Sequence, residues 1–154
     1  MDIRPAVASD IEFISRVIVP LVEKYILPTC SHSGGNILKD SMSKQRIQEY
    51  YDSGCRYLVG TDNGVIIAVI GMRNNSHLYH LFVADSHKGK GCAKALWEYA
   101  KCECIEQYAT HKFTVNSALN AASMYEKWGF KAVTGVREHL GIKDVPMQLL
   151  LRAD

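Results

Sequence analysis

The residues best suited to chemistry lie where an apolar, aromatic stretch, Leu78-Tyr79-His80-Leu81-Phe82-Val83, runs into a short basic glycine segment, Lys88-Gly89-Lys90-Gly91-Cys92-Ala93. The first reads as a strand over residues 77–83. The second reads as a loop that opens straight into a helix from 91 to about 108. Such a junction aims several free backbone N–H groups and the positive end of a helix dipole at one point, and that point binds phosphate. Lys88, Lys90 and Lys94 crowd the same helix start. Cations there oppose the dipole, a conflict that a bound anion removes. The GxxxxGK[ST] spacing of a nucleotide loop is absent, and no third glycine completes a dinucleotide fingerprint.

A second constellation follows one helix later: Asn116, Asn120, Tyr125 and then Gly129-Phe130. Residues 113–116 read as a strand ending in Asn116. The next helix carries Ala121, Met124, Tyr125 and Trp128 on its inner face and stops at Gly129. A buried Tyr hydroxyl needs a polar partner, so Tyr125 is either a core aromatic or a proton donor. On the first strand, period-two alternation puts His77 and Tyr79 on one face and His80 on the other, unless a bulge intervenes. His77, with an ordinary pKa of about 6.5, is the candidate base. Tyr79 fits the wall of a cleft. No Asp or Glu occurs in that strand.

The spacing Lys88-x-x-Gly91-x-Ala93 resembles the pyrophosphate loop of the GNAT superfamily of N-acetyltransferases, with Lys where that family has Arg or Gln. The later block, a strand ending in Asn116, a helix with Tyr125 and then Gly129-Phe130, is similar to the family's second motif, in the expected order. The resemblance implies acetyl-CoA as co-substrate. Its pyrophosphate would rest on Lys88, Gly89, Lys90, Gly91, Cys92 and Ala93, and its pantetheine arm would pair with the backbone of Leu81 and Val83. Asn120, ahead of Asn116, would hold cofactor amides. Tyr125 would be the acid for the CoA thiolate, and His77 the base, with Tyr79 or water as the alternatives.

The implied reaction is direct attack of a primary amine on the thioester in a ternary complex. A lysine-like amine of pKa about 10.4 is neutral in only roughly one molecule in 2,500 at pH 7, a deficit of about 4.6 kcal/mol. A base or a water chain that takes the proton therefore matters. Two alternatives stay open: a non-catalytic CoA or acyl-CoA binding module of the same fold, and an acyltransferase for a longer acyl chain. The acceptor, a small molecule or a peptide amine, would be shaped by about residues 25–39 and 137–144. Glu138 or Asp144 could attract it if it is cationic.

These residues need a scaffold. Residues 3–7 read as an edge strand, and Ser9-Asp10-Ile11-Glu12 as a capping box for a helix with Ile11, Ile14 and Ile18 on one face. Pro20 and Pro28 are expected to break the region that follows, with 28–36 a loop by composition. A helix over 43–52 closes at Gly54. Strands at 56–61, 65–72 and 77–83 form a meander turned by Asn63-Gly64 and Asn74-Asn75, the middle one apolar enough to be buried on both faces. The strand at 113–116 should run parallel to 77–83, since a whole helix joins them. A hairpin of 130–136 and 145–151 ends the chain. The expectation is an α/β fold: one domain over 1–154, GNAT-like, with a mixed central sheet of about seven strands, helices on both faces and a splayed pair of parallel strands.

Composition sets the bounds. A chain of 154 residues supports one full core. A formal charge of +2 with scattered basic residues argues against a nucleic-acid partner. No apolar run is long enough to span a membrane and no secretion signal opens the chain, so a cytoplasmic protein without a membrane partner is expected. Five irregularly spaced cysteines fit no disulfide framework. Cys102 and Cys104 diverge by about 200° on their helix, and Cys30 with His32 has no matching ligand pair, so no metal is expected. Exposed edge strands permit a homodimer.

Overall fold

The computed structural model describes residues 1–152. Apolar residues on both faces of Val65–Arg73 (β3) put it in the interior, with residues 67–72 all buried. On one side it pairs antiparallel with Arg56–Asp62 (β2), which pairs in turn with the edge strand Asp2–Pro5 (β1). On the other side it pairs antiparallel with His77–Val83 (β4). Next comes Lys112–Ser117 (β5), then the long strand Ile142–Leu150 (β8), then Lys131–Ala132 (β6). Arg137–His139 (β7) folds back on β8 as a hairpin. Among the described residues the mixed sheet has eight strands.

β4 and β5 are parallel, as the intervening helix requires, but their ladder holds only at His77 opposite Thr114 and Leu78 opposite Val115. Beyond Leu78 the strands part. The rest of β4 then lacks a strand partner on that side, which leaves backbone groups free for another chain or a ligand.

Helices cover both faces. Ile11–Leu21 (α1) and Lys44–Asp52 (α3) bury Ile14, Ile18 and Ile47 against Tyr57, Val59 and Val69. Cys92–Tyr108 (α4) buries Leu96, Trp97, Ala100 and Cys104 against Leu58, Ile70, Met72 and Phe113 on the opposite face. Trp97 is fully buried, with Phe113 edge-on at 5.2 Å and Phe130 at 5.4 Å between centroids. Truncating such a residue costs about 3–5 kcal/mol, so this aromatic group anchors α4 to the sheet. Ala122–Lys127 (α5) places Tyr125 on the same layer. No helix among the described residues is long and apolar enough to cross a membrane.

Five local expectations change. The strand expected over 130–136 is reduced to β6, Lys131–Ala132, and the hairpin partner of β8 is β7, Arg137–His139. The capping box is shifted: a 3-10 turn, Ala8–Asp10, precedes α1, and the Asp10 carboxylate, not that of Glu12, reaches back to accept from the Val7 N–H at 2.8 Å and from the two terminal Arg4 nitrogens. Pro20 lies inside α1 without ending it; the chain runs on into a π-helical turn, Val22–Ile26. Residues 28–36 are not all loop. Ser31 caps Gly34 N–H at 3.0 Å and starts a helix, His32–Ser41 (α2). Finally, 137–144 is not an open loop but the tight turn of β7 and β8 around Leu140-Gly141. Its residues are mostly exposed and polar, so no alternation marks them as a strand.

Candidate active site

The glycine loop meets α4 with its backbone in the left-handed region at two places: Gly89 has φ 75° and Gly91, the N-cap, φ 80°. An L side chain at either would be strained. A Cβ there would meet no protein atom within 4 Å, so the loop faces open space. The first intrahelical bond of α4 is donated by Ala95 to the Gly91 carbonyl at 3.0 Å. The N–H groups of Cys92, Ala93 and Lys94 therefore precede the ladder and point outward at the positive end of a 17-residue helix. This is a place for an anion.

The loop faces a cavity of about 590 Å³ that runs along the separated half of β4. Leu81, Val83, Lys88, Gly89, Gly91, Cys92, Ala93, Asn120 and Tyr125 all line it. Lys90 and His77 do not. Asn116 and Lys94 join the lining as well. Asn120 lies in the turn before α5 and is exposed, while Ala121 takes the N-cap position.

Tyr125 is 5% exposed, packed edge-on to Trp128 and Phe130 at 5.5 Å. Burial raises its phenol pKa well above the ordinary value, so it stays protonated throughout the neutral range. A protonated phenol in a largely apolar cavity is a proton donor for a developing anion.

Lys88 is turned back on its own loop. Its Nζ lies 2.8 Å from Asp85 and 3.6 Å over the Tyr25 ring. Asp85 also takes Lys24 and the Tyr25 hydroxyl, each at 2.9 Å. These partners, Lys88 foremost, hold the Asp85 carboxyl well below the usual range. The group ties the π-helical turn to the loop. Sequence reasoning missed Tyr25 and Asp85, although the Asp85-Lys88 spacing of i to i+3 hints at the pair.

The bulge allowed for in β4 is real. Gly71 pairs with His80 but Met72 with Leu78, so Tyr79 is the extra residue. Tyr79 and His80 consequently lie side by side, rings 4.5 Å apart, and both approach Tyr50 of α3. Tyr79 lines the cavity. His80 is buried, its Nδ1 bonded to the Tyr57 hydroxyl at 2.9 Å and its Nε2 without a partner. Burial, then the Arg73 charge, lowers its pKa to about 3. His77 Nδ1 is held by Thr114 Oγ1 at 2.7 Å at the closed end of the β4–β5 pair. Burial, then Arg73, lowers its pKa below the ordinary value.

The cavity is also lined by Leu21 of α1, Ile26 of the π turn, Leu38 of α2, Met42 and Ile142 of β8. Glu138 is exposed on β7 and outside the lining. Asp144 lines the cavity, but Arg137 Nε bonds its Oδ1 at 2.6 Å. The described residues include no group of three or more His, Cys, Asp or Glu able to hold a metal ion.

A family model of the GNAT acetyltransferase domain matches residues 26–151. The chain belongs to that family. Solved structures agree on the GNAT fold. A GCN5-related N-acetyltransferase from Rhodopseudomonas palustris superimposes with a TM-score of 0.83 at 18% identity, over 97% of this chain and 95% of the other. The PaiA N-acetyltransferase of Thermoplasma acidophilum, in complex with coenzyme A, gives 0.74 at 17% identity over 97% and 98%. The yncA protein of Salmonella typhimurium, with its cofactor acetyl-CoA, gives 0.71 at 21% identity over 100% and 95%. No curated protein matches the sequence.

Proposed function

We propose that this GNAT acetyltransferase moves an acetyl group from acetyl-CoA to a primary amine by direct attack, with Tyr125 as the acid for the departing thiolate. One observation carries the reading: a single cavity joins the loop glycines, the unpaired half of β4 and the protonated Tyr125. Acetyl-CoA supplies an activated acyl carbon. The loop N–H groups of 89–93 hold its diphosphate, with Lys94 of the cavity lining nearby, and Leu81 and Val83 offer main-chain bonds to the pantetheine arm. The amine nitrogen forms the new C–N bond as the C–S bond breaks. The sulfur takes a proton from Tyr125, and the amine's proton leaves to water or to a base.

For that base, His77 is placed beside Thr114 rather than in the cavity wall. It reaches the amine through water, past Tyr79, whose ring centroid lies 6.4 Å from its own. The test is thiol release from acetyl-CoA with a panel of amines. Amine-dependent release that falls at least ten-fold in Tyr125→Phe supports the proposal. Tight coenzyme binding with no amine consumed would make the chain a CoA-binding module instead. Parallel assays with longer acyl-CoAs define the acyl chain.

A further inference from the structure

The cavity lining is unusual in its charge. Among the described residues that form it, Asp144 is the one carboxylate, set against Lys88, Lys94 and Lys143. The charge of that carboxylate is already paired. Arg137, one strand back on the β7–β8 hairpin, grips it with two nitrogens, Nε to Oδ1 at 2.6 Å and the terminal nitrogen to Oδ2 at 3.3 Å. A fork of this kind engages both carboxylate oxygens and neutralises their charge, leaving a further ammonium little net attraction. Asp85, the next acid, lies outside the lining and is held by Lys24, Tyr25 and Lys88.

What remains at the acceptor side is apolar. Leu21, Ile26, Leu38, Met42, Phe82 and Ile142 come from five separate elements and the connection between α2 and α3, and converge on one volume. Apolar area of this kind favours a matching apolar body. A second ammonium group placed there would lose water and find no counter-charge, which is costly. The reacting nitrogen escapes that cost because it must be neutral to attack.

We infer that the acceptor is a monoamine on an apolar body, and that Arg137 sets this preference by pairing with the carboxylate of Asp144. The inference rests on the acetyl-transfer reading for its chemistry, but binding tests it without turnover. Calorimetry on the protein saturated with coenzyme A would compare 2-phenylethylamine with spermidine. Tighter binding of 2-phenylethylamine by at least ten-fold is expected. In Arg137→Ala the freed carboxylate should raise spermidine affinity at least three-fold and narrow the ratio. Met42→Glu, which puts a new carboxylate in the apolar wall, should narrow it further. Preference for spermidine in the unaltered protein, or a ratio unmoved by both substitutions, would overturn the inference. Failure of acetyl transfer with the binding preference intact would sink the catalytic reading alone.

Discussion

Gly34 of α2 lies against Gly141 of the β7–β8 turn so closely that a methyl group on Gly34 would come within 2.5 Å of the Gly141 carbonyl carbon. The Ser31 N–H donates to the Gly141 carbonyl at 2.9 Å in the same place. Two glycines thus fasten the helix that carries Leu38 to the strand that carries Ile142. This wall of the cavity is assembled from distant parts of the chain by a contact with no room for a side chain.

Gly34→Ala should therefore push α2 off the hairpin and disturb that wall while sparing the loop at 89–93. The expected result is a KM for the amine raised at least five-fold, with coenzyme A affinity by calorimetry within two-fold of the original. Equal loss of both would mean that the fold as a whole had shifted.

Gly91→Ala combines backbone strain with a methyl group in the diphosphate space. Affinity for coenzyme A should fall at least ten-fold. Gly54→Ala is the control: its φ of 101° imposes comparable strain, also with no protein atom near the new Cβ, but at the end of α3 away from the cavity. It should lower Tm by a few degrees and leave coenzyme affinity unchanged. Similar affinity losses in the two variants would remove the loop from the binding site.

His80 makes stability depend on acid. Its pKa is lowered to about 3 in the fold, against about 6.5 in the unfolded chain. Between those values the unfolded state binds the extra proton, so stability rises with pH and is lost as pH falls from 6.5 toward 3. By pH 5 the loss is roughly 1–2 kcal/mol. Urea denaturation at pH 7 and pH 5 should show it, and His80→Phe should flatten the difference. An unchanged slope in that variant would assign the acid sensitivity elsewhere.

Tyr125→Phe should lower kcat at least ten-fold, within the range for lost acid catalysis, with little change in coenzyme affinity. Because burial raises the phenol pKa, Tyr125 should contribute no falling limb to the kcat profile up to pH 9. A limb below that pH that disappears in the Phe variant would show the phenol ionising earlier than its surroundings allow.

Much of the scaffold was legible because its signals are local. The apolar run at 65–72 and the Asn63-Gly64 turn announce the meander, and a helix between 83 and 113 forces parallel strands. The glycine loop ahead of α4 was legible for the same reason: its glycines, lysines and helix start are adjacent in the chain. What escaped depends on contacts between distant segments. The first turn of α2 contains Gly34 and Gly35, which composition reads as loop, and Ser31 and the hairpin make it a helix. The bulge at Tyr79 leaves no mark in the sequence, yet it brings His80 beside Tyr79. The pairing of Asp144 with Arg137 likewise needs the hairpin turn at Leu140-Gly141, which no alternation of side chains reveals.

The most direct test is a crystal structure grown with acetyl-CoA. The account predicts the diphosphate on the N–H groups of 89–93, the pantetheine arm along Leu81 and Val83, and the thioester sulfur within hydrogen-bonding reach of the Tyr125 hydroxyl. A coenzyme bound away from the loop, or a sulfur remote from Tyr125, would contradict it.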